Sequence, residues 1–160
     1  MDELSSSEAR VAEELNRLGI ASDVRVMPAS TRSAAEAAAA VGCDVSQIVK
    51  SLIFRSVKSN EPILVLASGA NRVDESLLAV IVGGPVERAT AEFVRARTGY
   101  AIGGVPPVGH VQPIGAYLDE HLLAHHVVWA AAGSPRSVFS VRPADLVRVT
   151  AAKVVALAAT

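Results

Sequence analysis

Two neighbouring apolar segments place the strongest constraint on how this 160-residue chain can fold. Ser51–Val57 and Pro62–Ser68 both have the composition of strands, and the polar segment Lys58–Glu61 is all that separates them. Parallel neighbours need a crossover of about a dozen residues or more, whereas antiparallel neighbours can be joined by a short turn. The two segments therefore predict a β-hairpin, and with it at least one antiparallel strand pair.

Short strand-like runs alternate with helical patterns along the rest of the chain. Capping boxes, in which each side chain satisfies a backbone amide of the first turn, mark helix starts at Ser5-x-x-Glu8 and Ser33-x-x-Glu36. Apolar periodicity and Gly or Pro stops predict helices at Ser6–Leu18, between Ser33 and Gly42, and at Asp74–Val82, Thr90–Arg97 and Pro143–Val149. Further strands are predicted at Asp23–Met27, Val86–Ala89, Ala116–Asp119, Val127–Ala132, Val138–Arg142 and Lys153–Leu157.

The short connections between these elements indicate the fold class. Many are too short for parallel crossovers, which favours an α/β (α+β) arrangement: a mixed, largely antiparallel sheet with helices packed on it. The chain has no internal repeat, low-complexity linker or change of composition that would mark a boundary. We therefore expect a single domain over residues 1–160.

Composition and charge exclude some classes of protein. The net charge is −1, from 15 Lys and Arg against 16 Asp and Glu, so the chain lacks the strongly basic character of proteins that coat nucleic acid. The single cysteine, Cys43, cannot form an intrachain disulfide and fits a reducing compartment. The N-terminus is polar, and the apolar runs are far shorter than the ~20 residues that span a bilayer. We expect a cytoplasmic protein without membrane contact.

Lys50 is the charged residue that most needs an explanation. It lies in QIVKSLIF, residues Gln47–Phe54, and strand alternation places it on the more apolar face with Ile48, Leu52 and Phe54. Its ammonium could reach the rim of the sheet, pair with an acid, blunt an exposed edge, or face a pocket that receives a substrate. The residues alone leave these alternatives open.

The segment GGVPPVG, Gly103–Gly109, is the second unusual feature. Its prolines stiffen the backbone, and its glycines let the main chain come close to another group. The amides of Gly103, Gly104 and Val105 are then available as donors. Such a segment is either a rigid turn or a wall of amides that binds a carbonyl or an oxyanion.

Patterns for other chemistries are absent from the sequence. There is no G-x-S-x-G nucleophile motif and no phosphate-binding loop. His121 and His125 have a spacing that zinc sites use, but no third ligand is evident and Cys43 is remote. We therefore expect neither covalent catalysis, nor a metal, nor a cofactor.

Four segments, taken in order, resemble the YbaK-type aminoacyl-tRNA deacylases, which include the editing domain inserted in bacterial prolyl-tRNA synthetases and its free-standing relatives. They are STRSAAEAAAAVGCDVSQIVKSLIF, PILVLASGANRVDESLL, TGYAIGGVPPVG and AAAGSPRSVFSVRPADLVRVT, within Pro28–Thr150. The order and separation of QIVKSL and GGVPPVG make the resemblance specific. It implies a single YbaK-like editing domain, with a twisted mixed sheet that is partly closed into a barrel and helices packed outside.

The resemblance also implies a site. The family's pocket lysine falls on Lys50, and its G-x-x-x-P loop falls on Gly103–Pro107, whose backbone would hold the aminoacyl ester. Catalytic roles are thus expected for Lys50, Gly103, Gly104 and Val105. Substrate contacts are expected from Ser30, Thr31, Ser51, Leu52, Pro106, Pro107, Ala132, Gly133 and Ser134. The turn Gly133–Arg136 reads GSPR, unlike the Gly-Lys-Arg-Gly turn of the family's best-studied branch, which leaves the amino-acid specificity open.

The function that the resemblance implies is trans-editing, the hydrolysis of the ester of a mischarged tRNA. The expected substrate is tRNA-Pro that carries a small wrong amino acid. Lys50 would anchor the terminal phosphate or ribose, the tRNA's own ribose hydroxyl would assist, and no metal would take part. The expected partners are the acceptor end of an aminoacyl-tRNA and a prolyl-tRNA synthetase. Two alternatives stay open: a non-catalytic module that binds tRNA or an aminoacyl ligand, and a hydrolase of small aminoacyl esters.

Overall fold

Helices begin where the capping residues predict. The computed structural model describes residues 3–160, and this part contains five α-helices: α1 Ser6–Arg17, α2 Ala34–Val41, α3 Glu75–Val82, α4 Ala91–Thr98 and α5 Pro143–Thr150. Both predicted capping boxes form: Ser5 with Glu8, and Ser33 with Glu36. Among the helices of this part, none has the length and apolar character needed to cross a membrane.

Residues 3–160 also form one sheet of eight strands: β1 Arg25–Val26, β2 Ile48–Ser56, β3 Pro62–Ser68, β4 Val86–Arg88, β5 Gly115–Asp119, β6 Val128–Ala131, β7 Ser137–Val141 and β8 Lys153–Val155. Their order is β1-β7-β6-β2-β3-β5-β8, and β4 pairs with β2. The pairs β1–β7, β2–β3, β2–β4 and β6–β7 are antiparallel, whereas β2–β6, β3–β5 and β5–β8 are parallel. The predicted mixed, largely antiparallel sheet is confirmed. Closure into a barrel stays an expectation.

The predicted hairpin forms the centre of the sheet. Val49 pairs with Ser68 at one end and Arg55 pairs with Pro62 at the other. Every residue of β3 is buried because both of its faces pack into apolar clusters. Leu64 and Leu66 belong to one cluster, and the other contains Ile63, Val65 and Ala67.

The strand that carries Lys50 begins earlier than predicted. β2 starts at Ile48 rather than Ser51, directly after a short 3-10 turn at Val45–Gln47. The extra residues are ordered as strand because Ile48 and Val49 pair in parallel with β6. Lys50 therefore lies inside the strand rather than at its entry.

One edge of β2 is only partly covered. β3 lies along the other edge from Val49 to Arg55. On this edge, β6 covers Ile48–Val49 and β4 covers Phe54–Ser56. Within the described residues, Lys50–Leu52 thus have no strand beside them on that side. The gap in the sheet determines where the site lies.

Candidate active site

A cavity of about 350 Å³ lies at the gap beside β2. This volume is within the range of pockets that bind small molecules. Its walls come from β2, the start of α2, the residues at the end of β4, β6, and the loop that contains Gly103. Apolar side chains form much of the lining: Val49, Ile53, Val94, Ile102, Val105, Trp129 and Val138.

The charged side chains that line the cavity are all cationic. Among residues 3–160 they are Arg32, Lys50 and Arg88, and no Asp or Glu is in the lining. Neither arginine lies within ion-pair distance of a carboxylate of the described chain; Arg88 instead stacks on the Phe54 ring, 5.6 Å from its centroid. The cavity therefore presents unneutralised positive charge, which favours an anionic ligand.

Lys50 is half-buried in this cavity, and its Nζ donates a hydrogen bond to the main-chain carbonyl of Asn71. Burial lowers the pKa of Lys50, the positive charge of Arg88 lowers it further, and Asp119 partly opposes both. No carboxylate of residues 3–160 pairs with Nζ, so a direct ion pair does not explain the lysine. Lys50 lies on the uncovered part of the β2 edge and lines the cavity there.

The GGVPPVG segment supplies part of the opposite wall. Gly103 and Val105 line the cavity, and within the described chain their amides have no hydrogen-bond partner. The Gly104 amide instead donates to the carbonyl of Ala101 at 3.0 Å. Of the three amides that were expected to be available, two can therefore face a ligand without breaking a bond of the fold.

The buried side chain of Tyr100 and the partly buried side chain of His110 hold this loop in shape. The Tyr100 hydroxyl donates to the carbonyl of Gly109 at 3.0 Å, and Nε2 of His110 lies 2.7 Å from the carbonyl of Pro106. A carbonyl only accepts, so His110 must be protonated on Nε2. Burial lowers the pKa of His110, which favours the neutral ring. The loop is thus fixed from both ends.

Residues 28–149 match the family model of the aminoacyl-tRNA editing domain. The chain belongs to the YbaK-type aminoacyl-tRNA editing family. It is 31% identical to YwhH of Bacillus subtilis (strain 168) over 132 residues, which cover 82% of this chain and 83% of that protein.

Solved structures similar to this editing domain have the same fold. One is described as a "putative trans-editing enzyme for prolyl tRNA synthetase"; it is 50% identical, with a TM-score of 0.93, over 99% of this chain and 100% of the other. Another, hypothetical protein APE2540, is 32% identical with a TM-score of 0.87, over 94% and 99% of the two chains. These similarities confirm the predicted family and fold class.

The editing domain brings some of the predicted site residues together around the cavity and leaves others outside. Those in the lining are Thr31, Lys50, Ser51, Leu52, Gly103 and Val105. Those not in the lining are Ser30, Gly104, Pro106, Pro107, Ala132, Gly133 and Ser134. Their roles in substrate binding stay predictions.

Two predicted hydroxyl groups are used by the fold itself. Thr31 donates from both its amide and its hydroxyl to the carbonyl of Pro135, at 2.7 and 3.2 Å. The Ser134 hydroxyl donates to Glu8 Oε2 at 2.5 Å, and its oxygen lies 2.9 Å from that of Ser137. These contacts join the editing domain's α1 and the segment before α2 to the turn after β6. In this conformation both hydroxyls therefore support the wall of the cavity.

Ser51 differs from them because its hydroxyl is buried and has no hydrogen-bond partner within the described chain. Its main chain also faces the gap. The carbonyl of Ile48 accepts from the Gly69 amide on the β3 side, and the carbonyl of Ile53 accepts from the Ala89 amide on the β4 side. Along a strand, the peptide groups of residues two apart point to the same side. The amide and carbonyl of Ser51 thus share the direction of Ile53. In the editing domain, Ser51 thus combines a shielded hydroxyl that has no partner in the described chain with an amide and a carbonyl that face the gap.

Ser51→Ala is expected to slow deacylation without lowering the free energy of unfolding. An unpartnered buried hydroxyl costs about 1–3 kcal/mol of desolvation, so its removal should leave the free energy of unfolding unchanged or raise it, while deacylation slows. Urea unfolding and single-turnover hydrolysis measure the two effects.

Ser68→Ala is the matched control for this substitution, because the Ser68 hydroxyl donates to the carbonyl of Ser46 at 2.9 Å. Its loss should lower the free energy of unfolding by about 1 kcal/mol. Equal stability losses in the two variants would show that Ser51 has a partner after all.

Sequence reasoning missed several residues that shape this site. Arg32 packs against Gly103 and Trp129 lines the cavity beside β6, while Asn71 and Asp119 are linked to Lys50 from behind. Arg32 directly follows Thr31, which was predicted to contact the substrate, so its position in the sequence could have indicated that it lies at the site. Asn71 and Asp119 lie 48 positions apart, and no local pattern connects them.

Proposed function

We propose that this editing domain hydrolyses, in trans, the ester of a mischarged tRNA, and that tRNA-Pro carrying a small wrong amino acid is its substrate. One observation carries the proposal: a single cavity combines cationic groups, two unpartnered main-chain amides and aliphatic walls. An aminoacylated tRNA end presents the matching groups, namely phosphates, an ester carbonyl and a side chain. The 50% identical structure described as acting for a prolyl-tRNA synthetase supports the choice of tRNA-Pro, and we propose that synthetase as a partner.

The chemistry we propose relies on position and electrostatics. An aminoacyl ester is already activated, so hydrolysis needs a placed water and stabilisation of the tetrahedral oxyanion. Lys50 would hold the terminal phosphate or ribose, and the amides of Gly103 and Val105 would face the ester carbonyl. No His, Cys, Asp or Glu of residues 3–160 lines the cavity, so a ribose hydroxyl of the substrate takes the role of the assisting group. The proposed mechanism uses no metal.

The apolar part of the lining would select the amino acid. A synthetase pocket distinguishes side chains that differ by one methylene by only about 1–3 kcal/mol. A second site that admits the smaller side chain removes the resulting errors. In this chain, Val49, Ile53 and Val105 are part of the lining, and we propose that they limit the size of the amino acid. The proposed substrate therefore carries a small amino acid.

Hydrolysis of a panel of mischarged tRNAs tests the proposal. The panel combines tRNA-Pro with alanine, serine, threonine, cysteine and proline, and repeats the same amino acids on a second tRNA. We expect ester loss above the buffer rate for at least one small amino acid on tRNA-Pro, and none for proline. Ester loss no faster than in buffer for every member would overturn the proposal.

The same experiment separates the alternatives. Salt-sensitive binding of tRNA without ester loss would identify a non-catalytic binding module, since phosphate contacts make affinity depend on salt. Equal rates on a free aminoacyl ester and on the aminoacyl-tRNA would identify a hydrolase of small esters. Either result would exclude the proposed function of a tRNA deacylase.

A further inference from the structure

Asp119, the last residue of β5, is a buried carboxylate that the proposed chemistry does not use. Its side chain is only 1% exposed. Oδ2 accepts from the Ser68 amide at 3.1 Å and from the Asn71 side-chain amide at 2.8 Å, and Oδ1 accepts from the His121 amide at 3.0 Å. Burying a carboxylate is costly without such bonds. All three donors belong to the two segments that meet here.

These bonds hold the turn that follows β3. The Asn71 amide donates to the carbonyl of Ser68 at 2.9 Å, which closes the turn on itself. The Asn71 side chain then fastens the turn to the end of β5, through Asp119 and through Nδ1 of His121 at 2.7 Å. The position of the Asn71 main chain is therefore set by its side-chain contacts.

The main-chain carbonyl of Asn71 is the group that accepts the hydrogen bond from Lys50. One residue thus connects the buried carboxylate to the ammonium in the cavity: Asp119 holds the side chain of Asn71, and Asn71 holds Lys50. Nothing in the proposed chemistry requires a carbonyl at this place, but a flexible lysine side chain needs a contact if its charge is to stay at one point.

We propose that Asp119 is a positioning residue for Lys50, acting through Asn71 to keep the ammonium at a fixed place in the cavity. The consequence for catalysis rests on the proposed function, whereas the link itself does not. Burial and the charge of Arg88 in β4 lower the pKa of Lys50, and the charge of Asp119 acts in the opposite direction. The other titratable group at the link, His121, contacts Asn71 and Asp119 rather than Lys50.

The Asp119→Asn variant tests the link without any assay of activity. The chain has three lysines, Lys50, Lys58 and Lys153, so their side-chain NMR signals can be titrated separately. Asparagine keeps an acceptor for Asn71 and removes the charge that raises the pKa of Lys50. We expect the Lys50 midpoint to move to lower pH while Lys58 and Lys153 titrate as before. An unchanged Lys50 midpoint would overturn the proposal.

Asn71→Ala removes the side-chain hydrogen bond to Asp119. It keeps the main-chain carbonyl of residue 71 and the charge of Asp119. It also carries the test if the Asp119 variant does not fold, because Asn71 lies in a partly exposed turn. We expect the Lys50 side chain to lose its fixed conformation, seen as averaged NMR couplings, and single-turnover hydrolysis to slow about tenfold. Unchanged Lys50 couplings would contradict the link.

A double-mutant comparison shows whether the two residues act through one path. Asp119→Ala with Asn71→Ala should be no slower than the slower single variant, because either change already breaks the path. Additive losses would mean separate roles and would refute the proposal. Asp145→Asn, which alters a partly exposed carboxylate of α5 that lies 3.4 Å from Arg148, is the control and should change neither Lys50 nor the rate.

The outcomes also separate this inference from the proposed function. If the wild-type protein hydrolyses no aminoacyl-tRNA but Lys50 responds to both substitutions, the link stands and the proposed function fails. If hydrolysis is observed but neither the Lys50 signal nor the rate changes in the Asp119 and Asn71 variants, the proposed function stands and the link fails.

Discussion

Lys50→Met is expected to slow hydrolysis of the mischarged tRNA by about 100-fold, the loss that a displacement of the substrate by about 1 Å can cause, because Lys50 would no longer hold the terminal phosphate or ribose. Methionine keeps the length and much of the volume of the lysine stem, so the lining of the cavity is preserved. What disappears is the Lys50 ammonium, which donates a hydrogen bond to the carbonyl of Asn71. Single-turnover hydrolysis with labelled aminoacyl-tRNA measures the loss.

Two further variants make this result interpretable. Lys58→Met removes an exposed lysine of the hairpin turn and should leave the rate unchanged, which excludes an effect of net charge alone. Lys50→Arg keeps the charge but replaces a compact ammonium with a planar fork, and should recover only part of the rate. A Lys50→Met protein that hydrolyses at the wild-type rate would remove Lys50 from the mechanism.

The same substitution has an expected effect on stability, and its sign follows from the pKa of Lys50. Burial, then Arg88, lowers this pKa below its ordinary value, so the unfolded chain holds the proton more tightly than the folded one. The charged lysine therefore opposes folding at neutral pH, and this penalty falls as pH rises from the folded pKa towards the unfolded one. Lys50→Met should leave the free energy of unfolding at pH 7 unchanged or raise it.

Local signals in the sequence predicted the secondary structure well. Both capping boxes form, and β3 occupies Pro62–Ser68 as predicted. These features succeed because their causes lie within a few residues: a side chain that satisfies a nearby amide, or a turn that is too short for anything except a hairpin. The fold class followed from the short connections between elements, and the family followed from four segments, among which the order and separation of QIVKSL and GGVPPVG made the resemblance specific.

The parts of the site that could not be predicted depend on contacts between distant segments. The start of β2 depends on its pairing with β6, about eighty positions later, and the gap beside Ser51 exists because β6 and β4 cover only the ends of that strand. The sequence likewise cannot show that the Ser134 hydroxyl is taken by Glu8. Composition identified which residues were unusual, whereas only the fold shows which of them still have unused hydrogen-bonding groups.

Gly104→Ala is the second substitution with a large expected effect. Gly104 does not line the cavity, but its main chain lies against the turn after β6: an added Cβ would be 2.7 Å from the carbonyl carbon of Ser134 and 2.8 Å from its Cα. The Gly133 amide donates to the carbonyl of Gly104 at 3.0 Å in the same contact. Since these neighbours are backbone atoms, no side chain can turn away, and one of the two segments must move.

That movement should affect both stability and activity. Overpacking costs about 1–3 kcal/mol, and the displaced segment carries Gly103 and Val105, whose amides would face the ester in the proposed mechanism. A shift of about 1 Å in positioning groups can cost about 100-fold in rate, so we expect a loss of that order. Gly115→Ala is the control, because an added Cβ there meets no atom within 4 Å. If both alanine variants behaved like the wild-type protein, the close approach at Gly104 would not be what holds the amide wall in place.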